Sequence, residues 1–184
     1  MREEVRLARP TTDLREEYVS FYREWLASGE DMVPWVIERD PTDFAAMVRF
    51  LLDNEKGEHL PEGWVPDSTF WLVGSSGRVL GAVNIRHRLT DKLLQSGGHI
   101  GYGIRPSERR KGYATRLLSL TLEMTRSWGW DRVLVVCDAD NIASERTIVN
   151  NGGVPDASYI EENGNVVKRF WIDLRPDGRP QLPR

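Results

Sequence analysis

GHIGYGIRPSERRKGYATRLLSLTLEMTRS, residues 98–127, decides how the rest of the chain is read. It opens as a strand, His99 to Ile104, rich in aromatic and β-branched residues. Pro106 ends the strand, because a ring nitrogen has no hydrogen to give a ladder. A short basic loop follows, Arg109-Arg110-Lys111-Gly112, and a helix begins at once. Ala114, Leu117, Leu118, Thr121, Met124, Thr125 and Trp128 share one helical stripe, with Arg116 and Glu123 opposite.

A strand, a glycine loop and a helix start together make a place to hold phosphate. The first turn of a helix leaves its N–H groups unpaired, and the helix dipole adds partial positive charge. Gly112 allows close approach of a ligand and a positive φ. Arg109, Arg110 and Lys111 add charge, and Thr115 offers a hydroxyl. Read from these residues alone, the unit is either a phosphate site or an ordinary strand-to-helix turn with a solvated basic patch. Rival nucleotide motifs fail. Gly101-x-Gly103 lies inside the strand and is followed by Pro106, so it is no dinucleotide fingerprint, and no Gly-x-x-x-x-Gly-Lys-Ser/Thr occurs.

Arg109-x-x-Gly112-x-Ala114 resembles the Arg/Gln-x-x-Gly-x-Gly/Ala signature of the GNAT family of acetyl-CoA dependent N-acetyltransferases. The context agrees: a strand before, an amphipathic helix after, and a second strand followed by Asn141-x-x-Ser144. The resemblance spans roughly residues 5 to 174. Leu60-Pro61-Glu62-Gly63, Asn84-Ile85-Arg86-His87 and the Gly97–Gly103 run resemble a bacterial branch of predicted acetyltransferases.

Size and charge agree with a single such domain. The chain has 184 residues, enough to bury a core without disulfides or metal, and a formal net charge of -3 that argues against general nucleic-acid binding. The basic residues near 110 are therefore aimed at one local anion. A single cysteine excludes an internal disulfide and fits a reducing cytoplasm. The N-terminus lacks a signal-peptide core, and no apolar run reaches membrane-spanning length.

Along the chain, Val5 to Ala8 reads as a strand, followed by a helix from a Thr11-Thr12-Asp13 cap to about Ser28. A second helix starts at Asp40-Pro41-Thr42-Asp43, and residues 57–67 form a loop. Thr69 to Val73 and Arg78 to Arg86 read as a hairpin, and residues 90–94 as one helical turn. After the organising unit come a strand, Arg132 to Cys137, and a helix, Asn141 to Asn150. A last hairpin, Tyr159–Glu162 with Val166–Leu174, turns at Asn163-Gly164, and residues 175–184 read as a loosely ordered tail. This order implies the GNAT α/β fold: a central mixed, mostly antiparallel sheet flanked by helices, in one domain over 1–174.

The resemblance implies acetyl-CoA as co-substrate and, as acceptor, a small-molecule or peptide amine, with no nucleic acid, no membrane, and a monomer or homodimer. It implies that the backbone N–H at Ile104 serves the thioester carbonyl, and that Arg109, Arg110, Lys111, Gly112, Tyr113, Ala114 and Thr115 hold the coenzyme. Asn141 would touch the pantetheine arm or simply cap its helix, with Ser144 near the cofactor sulfur. The chain departs from the family at the tyrosine that commonly protonates the thiolate, since Ile148 stands there. Ser144, Tyr102, Tyr113 or water must then supply the proton. The strand carboxylate that some members use as base is missing near Gly98. His99 is the nearest titratable group and the candidate base, with His87 a second and His59 a surface residue. Three histidines and one cysteine show no metal spacing, so no metal is expected. Cys137 reads as a buried apolar residue rather than a nucleophile. Trp25, Trp35, Trp64 and Trp71 read as packing, one or two of them lining the acceptor pocket. Glu30, Asp31 and Glu38 offer charge to a cationic amine or form a solvated face. A catalytically weak acyl-CoA-binding regulatory module and a transferase of longer acyl groups remain as other readings.

Overall fold

Charged and apolar residues alternate at the start of the computed structural model, which describes residues 3–176, and they build β1 (Val5–Ala8). Thr11 Oγ1 accepts from the Asp13 N–H at 3.3 Å and opens a short 3-10 turn that runs into α1 (Arg15–Ser28). Asp43 caps α2 (Phe44–Lys56) by accepting from the Ala46 N–H at 3.0 Å. The hairpin of β2 (Asp67–Gly74) and β3 (Val79–Arg86) leads to β4 (Ile100–Ile104). Then follow α3 (Tyr113–Ser127), β5 (Arg132–Asp138), α4 (Ile142–Asn150), β6 (Val154–Ile160) and β7 (Val166–Asp173).

The strands form one seven-stranded sheet in the order β1-β2-β3-β4-β5-β7-β6. Every neighbouring pair is antiparallel except β4 with β5. This is the expected mixed, mostly antiparallel sheet with helices on both sides. Because strand side chains alternate between faces, the sheet divides its apolar residues between two cores. On one face Leu72, Val83, Ile85, Ile100 and Val135 meet Leu117 and Leu118 of α3 and Ile148 of α4. On the other, Trp71, Val73 and Ala82 meet Tyr18, Phe21 and Trp25 of α1 and Met47 and Leu51 of α2. Burying each such side chain is worth roughly 1.5–3 kcal/mol, so neither helix layer is dispensable.

A buried charge fastens α1 to the end of β4. The Arg105 side chain is 4% exposed; its Nε donates to Glu24 Oε2 at 2.6 Å and its Nη2 to Ser20 Oγ at 2.6 Å. A guanidinium taken from water persists only with such partners.

Some boundaries differ from the expected ones. β6 begins at Val154 rather than Tyr159, and its ladder with β7 shifts register between Asp156 and Tyr159. Pro155 sits there on the sheet's edge strand, a place where a residue without an N–H is tolerated. α2 starts at Phe44, after the Asp40–Asp43 segment rather than within it. Of the segment read as a tail, Arg175 folds back onto the Asp173 carboxylate, and residues 177–184 lie outside the described residues. No helix among the described residues is long and apolar enough to cross a membrane.

Candidate active site

The site begins where the one parallel ladder fails. β4 and β5 share a single register pair, Ile100 with Val135, although β4 continues to Ile104 and β5 to Asp138. Beyond Ile100 the strands are unpaired, and a gap opens between them. The antiparallel bonding of β3 with β4 decides which groups face that gap. Arg86 N–H donates to His99 O at 2.7 Å and Arg105 N–H to Leu80 O at 2.8 Å, so odd-numbered residues of this stretch bond β3. The main-chain groups of Tyr102 and Ile104 therefore point the other way, into the gap. Ile104 was expected there; Tyr102 was expected only for its side chain.

The gap leads to the amino end of α3. Gly112 is its N-cap at φ 85°, in the left-handed region, with no side-chain cap bond. Arg116 is the first residue whose N–H bonds back into the helix, to Gly112 O at 3.1 Å, which leaves Tyr113, Ala114 and Thr115 with outward N–H groups. Arg110 also adopts a positive φ, 62°, and stands exposed beside them. The other two cations are committed. Lys111 Nζ lies 2.8 Å from Glu108 Oε2. The Arg109 guanidinium turns inward, 2.7 Å from Glu30, 3.3 Å from the Ile104 carbonyl and 4.8 Å from the Trp25 ring centroid. Glu30 is thereby spent on Arg109, while Asp31 and Glu38 are exposed.

Across the gap, Asn141 Oδ1 accepts from the Ser144 N–H at 3.1 Å and so caps α4, leaving its amide hydrogens free of that bond. Ser144 Oγ lies 2.8 Å from the Tyr102 hydroxyl, so the two side chains bridge β4 and α4. Burial pushes the Tyr102 phenol up to about 12, which keeps it protonated. Tyr113 is elsewhere, donating to Glu3 at 3.0 Å. Ile148 is wholly buried in the α3-side core, and there is no hydroxyl at that position to reach the gap.

His99, expected as a candidate base, is engaged otherwise. Its Nδ1 accepts from the Leu134 N–H at 2.9 Å. A backbone N–H can only donate, so the neutral ring carries its hydrogen on Nε2 and has no free lone pair. Burial, then Arg86 and Arg132, lower its pKa to about 4. His87 Nε2 is 2.8 Å from Ser68 Oγ, and His59 is exposed in the loop after α2. Burial, with Glu145, pushes the Cys137 thiol up to about 11, so no thiolate is present for a covalent route at neutral pH. Among the described residues no group of three or more His, Cys, Asp or Glu stands close enough to hold a metal ion.

The other face of β4 is bare and covered. A Cβ at Gly103 would stand 1.8 Å from the Val33 carbonyl oxygen, and one at Gly101 3.4 Å from Pro34 Cβ. The segment between α1 and α2 thus lies directly on the strand. Trp35 follows it, donating to Asn84 Oδ1 at 3.4 Å and meeting Trp64 edge-on at 5.0 Å. Trp25 and Trp71 are buried in the α1–α2 core, whereas Trp64 is 48% exposed. The alternating glycines Gly101 and Gly103 were the available signal for this close approach.

Several solved structures share the fold. The microcin C7 self-immunity acetyltransferase MccE, determined with acetyl-CoA and AMP, aligns with TM-score 0.66 at 16% identity over 92% of each chain. The ribosomal-protein-S5-alanine acetyltransferase of Vibrio fischeri gives 0.66 at 16% identity, over 98% of this chain and 97% of that one. Mutant forms of the spermidine/spermine N-acetyltransferase SpeG of Vibrio cholerae give 0.60 at 15%, over 93% and 95%. No curated protein matches the sequence closely enough to count. Residues 4–154 match the family model of the acetyltransferase (GNAT) domain, and the chain belongs to that family.

Proposed function

We propose that the chain moves acetyl from acetyl-CoA to a primary amine by direct attack within a ternary complex. The observation that carries this reading is a parallel strand pair that opens after one register pair, with its open edge leading to an uncapped helix start. The outward N–H groups of Tyr113, Ala114 and Thr115, with Arg110, suit a diphosphate. Ile104 and Tyr102 offer main-chain N–H groups to the acyl arm, and one of them faces the carbonyl oxygen where negative charge grows. Asn141 and Ser144 form the far wall.

Transfer forms a C–N bond and breaks a C–S bond. Ser144, backed by the Tyr102 hydroxyl, gives a proton to the leaving sulfur. The amine proton passes to water, because β4 carries no carboxylate and His99 Nδ1 is occupied. The acceptor is a small-molecule or peptide amine; spermidine and ribosomal-protein-alanine acetyltransferases among the similar structures support that class. The cytoplasm is the compartment in which Cys137 stays reduced.

Calorimetry with coenzyme A and acetyl-CoA, followed by thiol release over a panel of amines, tests the reading. Binding with amine-dependent turnover is expected. Binding with no turnover on any amine leaves an acyl-CoA-binding module, and no heat with either ligand removes the coenzyme and the function with it.

A further inference from the structure

His99 closes the point at which β4 and β5 part. Its own N–H donates to Leu134 O at 2.8 Å, and its Nδ1 accepts from the Leu134 N–H at 2.9 Å, so one residue takes both main-chain groups of Leu134. Its carbonyl is held from the other side by the Arg86 N–H at 2.7 Å. The carbonyls just before it are not free to answer Leu134: Arg86 Nη1 takes Gly97 O at 3.0 Å and Gly98 O at 3.2 Å. The imidazole thus stands where a main-chain acceptor is missing.

The surroundings leave the ring little room to move. Trp130 packs against it with centroids 5.3 Å apart and Trp171 at 6.5 Å, and Arg132 stacks on Trp171 at 4.1 Å. Gly98 lies at φ 64°, and a Cβ there would come within 2.8 Å of Leu134 O, so the strands meet this closely only with glycine before the histidine. Past this point β5 carries the chain to Asn141 and Ser144, the wall that faces Tyr102.

We infer that His99 is a positioning residue that fixes where the gap between β4 and β5 begins, by engaging both polar groups of Leu134. The inference rests on the reading that this gap receives the arm of acetyl-CoA. Removing the imidazole acceptor frees the start of β5 and lets the Asn141–Ser144 wall shift against Tyr102. The arm then binds less well and Ser144 parts from Tyr102, so KM rises and kcat falls together.

Two variants and one spectrum test it. His99→Phe keeps an aromatic ring between the tryptophans but offers no acceptor; His99→Asn restores one, since Oδ1 stands close to where Nδ1 was. The expected result is a KM for acetyl-CoA raised about tenfold in His99→Phe, the factor one hydrogen bond supplies, with a lowered kcat, and both parameters near wild type in His99→Asn. A wild-type KM in His99→Phe overturns the inference. So does a fall in kcat shared by both variants, which would mean that the imidazole moves a proton. Should His99→Phe not fold, nitrogen NMR of the wild-type ring near pH 7 decides: Nδ1 bare and Nε2 protonated supports the role, and the reverse tautomer or an imidazolium overturns it. Failure of wild-type protein to bind coenzyme would strike the functional reading instead, and the spectrum would still judge His99.

Discussion

Gly103→Ala places one methyl group where β4 meets the segment between α1 and α2. The new Cβ would stand 1.8 Å from the Val33 oxygen, 2.9 Å from the Val33 carbonyl carbon and 3.1 Å from Trp25 Cζ2. Cβ atoms do not approach heavy atoms within 3.0 Å, so the Val33 carbonyl must retreat by 1.2 Å or more. The obstacle is main chain, which cannot swing aside as a flexible side chain can. Overpacking a well-filled interior costs about 1–3 kcal/mol, and a backbone clash belongs at the top of that range. Against this, replacing glycine within a strand returns about 0.5–1 kcal/mol. The net loss is about 2 kcal/mol, and for a domain of this size it lowers Tm by about 4–8 °C. Thermal unfolding followed by circular dichroism measures the shift. Gly101→Ala is the internal comparison, because its Cβ would meet only Pro34 Cβ at 3.4 Å, an ordinary contact. Coenzyme affinity should hold in both variants, since odd-numbered residues of this stretch bond β3 and do not face the gap. A Gly103→Ala protein that melts with wild type would show that the Val33–Pro34 segment does not rest on β4.

Gly112→Asp should weaken coenzyme binding at least about 100-fold, by setting a carboxylate at the helix start meant for phosphate; Gly112→Asn, which tolerates the left-handed φ without charge, should lose far less in the same calorimeter. Tyr102→Phe removes the hydroxyl partner of Ser144, and kcat should fall about 100-fold with coenzyme affinity kept; an unchanged kcat would take Tyr102 out of proton delivery. His99 supplies a pH signature in stability. Its folded pKa, about 4, lies below the unfolded value, so its contribution is complete above roughly pH 6.5 and is lost as pH falls toward 4. Allowing for partial exposure, the loss is about 2 kcal/mol; Arg86 and Arg132 face the ring, and His99→Asn should flatten that part of the denaturation profile.

The helix α3 and its loop were legible because local chemistry dictates them. The period changes from two to 3.6 at Gly112, Pro106 stops the strand, and the unpaired N–H groups follow from being first in a helix. The sheet was legible for the same reason, from short β-branched runs split by turn residues. What stayed hidden depends on partners distant in the chain. Nothing near Arg109 says that its guanidinium will reach Glu30, and nothing near His99 names Leu134. Arg109 was read from its charge and the loop signature, and His99 from its titration, and both are used as hydrogen-bonding groups. The start of β6 was hidden differently: Pro155 and Asp156 have poor strand propensity, and only the edge position beside β7 makes a strand of them.

The alternation of one five-residue strand explains why the site looks as it does. Ile100 and Ile104 are needed by the α3-side core, and Tyr102 shares their face, so a hydroxyl delivered to the gap must come from that side. The in-between positions face α1 and α2. There Gly101 and Gly103 give up side chains so that another main-chain segment can approach to contact distance. In the proposed reaction, with the α3 side filled, the amine would meet the acetyl carbon from the α1–α2 side, beside Val33 and Pro34. Acceptor choice in the proposed reaction therefore belongs to that segment and to Trp35 and Trp64 beside it, not to the phosphate loop by which the family is recognised.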